Sequence, residues 1–141
     1  MSSTQTDEPL VVLLQRARDV LAAPLRERLA VFGLTEQQWR VISVAHDNIG
    51  INAQDLASKS AILGPSLSRI LYKLQSDGIL SRKAAESDLR ELTIRLTPTG
   101  RRLYGKVSPQ VKTHLTEVNS RIGEKKVKQL SELLRYVAAF K

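Results

Sequence analysis

The stretch that most constrains the fold of this chain is GPSLSRILYKLQSD, residues 64–77. Four aliphatic side chains recur there at the i, i+3, i+4 and i+7 spacing of one helical stripe: Leu67, Ile70, Leu71 and Leu74. Pro65 suits the first turn of a helix, because the amide proton that proline lacks would have no partner there. Gly78 follows and is well placed to end the helix. The pattern therefore predicts an amphipathic helix over 64–77.

The opposite face of this helix carries hydroxyls, an aromatic ring and two cations, but no carboxylate: Ser68, Arg69, Tyr72, Lys73 and Ser76. A face that only meets solvent usually mixes acids with bases. Taken alone, the face is also compatible with an ordinary solvated helix. The residues that follow decide between the two interpretations.

After Gly78 the apolar period changes from helical to strand-like. Residues 79–83 and 91–96 both approach strand alternation, and the polar segment 84–90 separates them, which predicts a β-hairpin with a charged tip. The elements then follow the order of a winged helix-turn-helix: a short helix at about 53–59, a turn, an amphipathic helix and a hairpin. In that motif the second helix enters the major groove of DNA, and an arginine at the hairpin tip can enter the minor groove.

Composition and charge agree with a polyanionic partner. The chain has 141 residues and a net charge of +8, from 22 Lys and Arg against 14 Asp and Glu. Residues 51–106 contain ten of the basic and five of the acidic residues, so this segment carries +5 of the +8. Aromatic residues make up only 4% of the chain, which predicts an aliphatic core and favours helices over a β-sandwich.

The rest of the chain is predicted to be helical. Thr35 with Gln38 forms a capping-box pattern, and Asn52 and Thr97 precede helices as caps. Pro24 lies inside the first helix, where we expect a bend. We predict helices over about 10–31, 36–47, 53–60, 98–121 and 124–139, and a short edge strand at 51–52.

The predicted fold class is mainly α with a small β-hairpin, as one domain over 1–141. A winged helix-turn-helix at 34–97, with its wing at about 79–97, is flanked by terminal helices at 9–33 and 98–141. About 50 central residues cannot cover the apolar stripes of such long helices. We therefore expect the terminal helices to pair with a second copy, as a symmetric homodimer that presents two recognition helices.

The sequence resembles the MarR family of bacterial transcription regulators from about Leu10 to Phe140. Three runs carry the resemblance. The second helix of the family is similar to LTEQQWRVI at 34–42, and its helix-turn-helix is similar to QDLASKSAILGPSLSRILYKLQSDGIL at 54–80. Its wing and the entry to its fifth helix are similar to SDLRELTIRLTPTGRRL at 87–103. Within the family, LTEQQWR and AILGPSLSRIL are most similar to regulators of homoprotocatechuate (4-hydroxyphenylacetate) degradation. Gly64 stands where that subgroup has arginine, so we do not expect an identical operator.

The resemblance implies the function and the residues that carry it. It implies a sequence-specific DNA-binding regulator, a repressor released by a small phenolic or aryl-acetic acid, for an aromatic-catabolism operon. In the family, the arginine of the Asp-x-Arg motif inserts into the minor groove and the aspartate helps to hold the wing; these are Asp88 and Arg90 here. The predicted contacts with double-stranded DNA are Ser66, Ser68, Arg69, Tyr72, Lys73, Asp88 and Arg90.

Four residues are candidate contacts for the acid. Trp39 is either a core residue or a wall of an aromatic-acid site between the dimerisation helices and the winged helix. Arg16, Arg40 and His46 are each either surface groups or partners of the ligand carboxylate.

Other classes of function lack their signals. The chain has no cysteine, and His46 and His114 are far apart in sequence, so we expect no metal, no cofactor and no enzymatic activity. No apolar run approaches the roughly 18 residues of a membrane span, and the acidic start is unlike a signal peptide, which predicts a cytoplasmic protein. The alternatives are a winged helix that docks a protein and a DNA-binding regulator without a small-molecule ligand.

Overall fold

Six helices and a three-stranded antiparallel sheet make up the residues that the computed structural model describes, 7–85 and 90–141. Each bound lies within one residue of the prediction. The elements are α1 (Leu10–Ala30), α2 (Glu36–Asp47), β1 (Ile51–Asn52), α3 (Ala53–Ser60), α4 (Gly64–Ser76), β2 (Leu80–Ala84), β3 (Leu92–Leu96), α5 (Pro98–Ile122) and α6 (Glu124–Ala138). The predicted fold class, mainly α with a small hairpin, is confirmed.

Local capping explains why the helices begin where they do. The Thr35 hydroxyl accepts a hydrogen bond from the Gln38 amide at 3.1 Å, and the Gln38 side chain accepts one from the Thr35 amide at 3.0 Å. The Asn52 side chain caps α3 by accepting from the Asp55 amide at 2.8 Å. These bonds satisfy amides that have no partner within the helix, so the three-residue patterns fix the helix starts.

Helix α4 buries the predicted stripe and ends at the predicted glycine. Leu67, Leu71 and Leu74 are buried in the core, with Ile70 half-buried beside them. Gly78 adopts φ +74°, and the Ile79 amide then donates to the Leu74 carbonyl at 2.9 Å, which closes a Schellman motif. The chain therefore leaves α4 with Ile79 already buried, and β2 begins at the next residue.

The sheet forms because β3 pairs with strands on both of its sides. The order is β1-β3-β2, with Ile94 opposite Ile51 on one side and opposite Arg82 on the other. In this register Leu80 and Leu96, which pair with each other, are also buried. Side chains alternate between the two faces along each strand, so one face of the sheet at the base of the wing (Leu80 and Leu96) packs towards the helices and the other faces solvent.

The core is aliphatic, as composition predicted. Leu29, Val41, Ile42, Leu56 and Val107 are fully buried and come from α1, α2, α3 and α5. The winged-helix centre is therefore packed directly against parts of two terminal helices, α1 and α5.

The terminal helices leave apolar rows uncovered within one chain. Helix α1 is continuous through Pro24. Helix α6 buries none of its residues, although its apolar side chains share one side. The exposed apolar side chains of the two helices include Leu10, Val11, Leu13, Leu14, Val20, Leu130, Leu133, Leu134, Tyr136 and Val137.

Two glycines of α5 give a matched test of the packing between α5 and the wing base. A Cβ added at Gly100 would collide with the Ile79 carbonyl oxygen, whereas one added at Gly105 would meet nothing within 4 Å. We expect Gly100→Ala to lower the free energy of unfolding by about 1–3 kcal/mol, because the added methyl group overpacks the site. We expect Gly105→Ala to raise it by about 1 kcal/mol, because alanine favours a helix more than glycine does. Urea unfolding at one fixed protein concentration measures both, and similar effects of the two substitutions would contradict this packing.

Candidate nucleic-acid interface and ligand site

The outward face of α4 presents the predicted DNA-contacting side chains to solvent. Ser68, Arg69, Tyr72 and Lys73 are exposed, with Tyr72 at 76%, and Ser66 is half-buried. The Lys73 ammonium lies 3.2 Å from an Asp77 carboxylate oxygen, so its charge is partly balanced. In the described residues Arg69 has only a long 3.4 Å contact with the Ser66 hydroxyl. Arg69 is therefore the cation of α4 that is available for a strong new contact.

A side-chain bridge between Asn52 and Glu91 joins the wing to the helix-turn-helix. The Asn52 amide group donates to a Glu91 carboxylate oxygen at 2.8 Å while the same side chain caps α3. Beyond the last paired residues of β2 and β3, the Ala85 amide donates to the Glu91 carbonyl at 2.8 Å. Arg90, exposed, comes directly before this bridge, so its backbone position is tied to α3. The Asp88 prediction lies outside the described residues.

One exposed apolar residue next to α4 was missed by the sequence reasoning. Leu63 is 82% exposed at the N-cap position of α4, immediately before Gly64 and Pro65. Apolar side chains read thymine through its methyl group, so Leu63 at the start of a recognition helix is chemically suited to a base contact. The signal available in the sequence was that Leu63 is a large aliphatic residue that lies outside the buried stripe of α4.

Three aromatic rings form a stack between α2 and α5. Tyr104 stacks on His46 with ring centroids 3.6 Å apart and on Trp39 with centroids 5.3 Å apart, and the ring planes differ by 8° and 15°. Trp39 is 6% exposed, which confirms that it is a core residue; its role as a ligand-site wall stays a prediction. The structure thus joins two of the four predicted ligand contacts through Tyr104, a residue that the sequence did not single out.

The environment of Tyr104 disfavours ionisation of its phenol. Burial, together with the negative charge of Asp47, raises the pKa of Tyr104 above its ordinary value. Next to the stack, a cavity of about 170 Å³ is lined by apolar side chains together with His46, Arg95 and Arg101. The cavity wall therefore combines apolar and cationic groups, which suits an organic anion.

The two predicted arginines have partners within the chain. Arg40 donates to the Ser60 carbonyl at 2.8 Å and lies 3.1 Å from a Glu36 carboxylate oxygen. Arg16 is exposed on α1 and lies 2.9 Å from a Glu8 carboxylate oxygen. Within the described residues, no hydrogen bond or ion pair joins the guanidinium of either arginine to the ring of Trp39 or His46.

In residues 7–85 and 90–141, no three His, Asp or Glu side chains are grouped closely enough to hold a metal ion. No helix in the same ranges is long and apolar enough to cross a membrane.

A helix-turn-helix with an exposed, basic second helix and a hairpin beside it defines the class of winged-helix DNA-binding proteins. The family model described as MarR family matches residues 34–92, the α2 to β3 region. The homoprotocatechuate degradative operon repressor of Escherichia coli is 32% identical over 127 residues, 90% of this chain and 86% of that protein. The chain belongs to the MarR family and is a DNA-binding transcriptional regulator.

Two solved structures extend the similarity to the whole fold. NadR in complex with 4-hydroxyphenylacetate has a TM-score of 0.81 at 30% identity and covers 100% of both chains. The repressor CouR bound to a 23-mer DNA duplex has a TM-score of 0.86 at 25% identity and covers 98% of both chains. The similarity therefore includes the terminal helices as well as the winged-helix centre.

Proposed function

We propose that this chain is a sequence-specific repressor of an aromatic-catabolism operon, which leaves its operator when a small phenolic or aryl-acetic acid binds. The observation that carries the DNA-binding part is the face of α4, where Arg69 and Tyr72 project into solvent beside the wing. The aromatic-acid part is supported by relatives that are named for homoprotocatechuate degradation or were solved with 4-hydroxyphenylacetate. Because such a regulator binds an operator and a small aromatic acid, we place it in the cytoplasm.

The proposed DNA contacts divide into two groups. Ser66, Ser68, Arg69, Tyr72 and Lys73 on α4 meet the major groove, where Leu63 adds an apolar contact to a thymine methyl. Arg90 enters the minor groove, and Asp88 positions the wing. An interaction module that docks a protein would instead be expected to display apolar anchors along α4.

The functional unit that we propose is a homodimer. Helix α6 has no buried residue in the single chain, and the apolar rows of α1 and α6 are too extensive to stay in water. A second copy covers these rows and places two recognition helices about one DNA turn apart, roughly 10 base pairs. The operator is then a pseudopalindrome, because the symmetry of the protein is repeated in its site.

Trp39, which is joined to His46 through Tyr104, is the proposed aromatic contact of the acid. The proposed carboxylate partners are Arg16, Arg40 and His46. Both arginines already meet carboxylates of the chain, Glu8 and Glu36. An incoming acid must therefore displace an internal ion pair. That exchange gives the ligand a means to move α1 or α2 relative to α4.

Calorimetry with 4-hydroxyphenylacetate and homoprotocatechuate, with and without operator duplex, tests the effector. We expect the acid to bind the free dimer about 5–150-fold more tightly than the operator-bound dimer, because an effector shifts the population only through differential affinity. By reciprocity the acid weakens operator binding by the same factor. The amide 4-hydroxyphenylacetamide, which lacks the charge, is the matched control. Absence of binding at millimolar acid would remove the effector and leave the DNA-binding function in place.

A further inference from the structure

We propose that Arg40 is a positioning residue for DNA recognition: it holds the C-terminal end of α3, and with it the turn that leads into the recognition helix α4. Its Nη1 donates to the Ser60 carbonyl at 2.8 Å, and its Nη2 donates to a Glu36 carboxylate oxygen at 3.3 Å. Its Nε lies 3.1 Å from the other oxygen of Glu36, as an ion pair that is not aligned for a hydrogen bond. All three guanidinium nitrogens therefore meet a partner in α2 or α3.

The contact with Ser60 satisfies the end of α3. The last carbonyls of a helix have no partner within the helix. At the end of α3 the chain turns back, and the Ile62 amide donates to the Ala57 carbonyl at 3.1 Å. The carbonyl of Ser60, the last residue of α3, receives its hydrogen bond from Arg40. A cation is also favoured there, because the C-terminus of a helix carries partial negative charge. Arg40 is thus a cap that α2 supplies to α3.

The turn between α3 and α4 depends on contacts from outside it. Ala61 adopts φ +54°, in the left-handed region that is disfavoured for alanine. Such a conformation persists only where the surrounding structure imposes it. Leu63, the N-cap residue of α4, has no polar group with which to cap that helix. The contact of Arg40 with Ser60 lies directly before this turn, so it holds the direction in which α4 leaves α3.

Glu36 holds the guanidinium of Arg40 in place. Glu36 lies in the first turn of α2, directly after the Thr35 cap, and its side chain is only 18% exposed. Arg18 of α1 donates at 3.1 Å to the Glu36 oxygen that also accepts from Nη2 of Arg40. The hold on α3 is therefore anchored to the N-terminal turn of α2 and, through Arg18, to α1.

The orientation of α4 matters more for base contacts than for phosphate contacts. Hydrogen bonds to base edges require a defined placement of the helix in the groove, whereas phosphate contacts are independent of sequence. Loosening the end of α3 should therefore lower the affinity for a preferred duplex more than the affinity for a scrambled duplex. The ratio of these two affinities reports the placement of α4, whereas a loss of folded protein lowers both affinities equally.

The experiment measures this ratio for the full-length protein by fluorescence anisotropy, with a duplex that the wild type selects from a random library and a scrambled duplex of equal length. No aromatic acid is present, so the result does not depend on the proposed effector. We expect Arg40→Met to lower the ratio about tenfold, with the helical circular dichroism signal unchanged. Glu36→Gln, which weakens only the anchor of Arg40, is expected to lower it about threefold. An unchanged ratio in either folded variant overturns the proposal.

Arg40→Lys separates the geometry of the guanidinium from its charge. Lysine keeps a positive charge near the end of α3, but one ammonium cannot span the Ser60 carbonyl and both oxygens of Glu36. We expect Arg40→Lys to resist urea better than Arg40→Met and to keep the lowered ratio. Full recovery of the ratio by lysine would show that a charge is sufficient and would overturn the positioning role.

Arg28→Met is the matched control. The Arg28 side chain is 26% exposed, against 30% for Arg40, and it also meets one neutral acceptor and one carboxylate, Gln110 and Glu117 of α5. We expect Arg28→Met to keep the ratio of the wild type, and an equal loss in this variant would overturn the proposal. The proposal rests on sequence-specific binding through α4. A wild type without sequence preference overturns both, whereas variants that keep the preference of the wild type remove only the role of Arg40.

Discussion

Raising the salt concentration from 50 to 200 mM is expected to weaken operator binding about a thousandfold. A dimer that neutralises six or more phosphates releases the counterions of those phosphates, and the logarithm of its affinity then falls linearly with the logarithm of salt concentration. The net charge of +8 per chain, concentrated in residues 51–106, supplies the cations. Fluorescence anisotropy with a labelled operator over this salt range measures the slope.

A scrambled duplex of the same length is the control for this titration. Its affinity should fall with a comparable slope, while the ratio between operator and scrambled duplex persists, because base contacts add to the phosphate contacts. A slope near zero would contradict the DNA interface and favour the protein-docking alternative.

The second large effect is expected from Arg69→Ala on α4. If Arg69 forms a bidentate contact with a guanine, its loss costs about 1–3 kcal/mol at each half-site and relaxes the preference for that base. The side chain is free to make this contact, because only a 3.4 Å contact with the Ser66 hydroxyl holds it in the described residues. Competition binding with operators that differ at single base pairs measures both the affinity and the preference.

Arg69→Lys distinguishes base reading from phosphate contact. Lysine keeps the positive charge but lacks the planar fork of donors, so it replaces arginine at a phosphate far better than at a guanine. We expect Arg69→Lys to bind scrambled duplex like the wild type and to lose the base preference. If Arg69→Ala weakens binding to all duplexes equally and Arg69→Lys restores binding to all of them equally, Arg69 contacts only phosphate.

The helices and strands could be predicted from the sequence because their signals are local. Thr35 and Gln38 cap each other across three residues, and Gly78 ends α4 four residues after Leu74, its last buried position. Such patterns act within one or two turns of chain and do not depend on the rest of the fold. The same holds for the stripe of α4, whose spacing alone identified the buried and the outward faces.

The candidate sites were less accessible to sequence reasoning, because they depend on distant pairs. Tyr104 meets His46 and Trp39 only after α5 has packed against α2, and Asn52 meets Glu91 only after the wing has folded back onto α3. No pattern of spacing in one sequence encodes such contacts.

Selection from a random-sequence duplex library with the purified full-length dimer tests the central claim most directly. The claim is that two copies of α4 and its wing read one symmetric site. We predict convergence, within a few rounds, on a pseudopalindrome whose half-site centres lie about 10 base pairs apart, with A·T-rich positions where the wings enter the minor groove. A library that gains no common motif after repeated rounds, at a salt concentration where the protein still binds duplex, would contradict the claim.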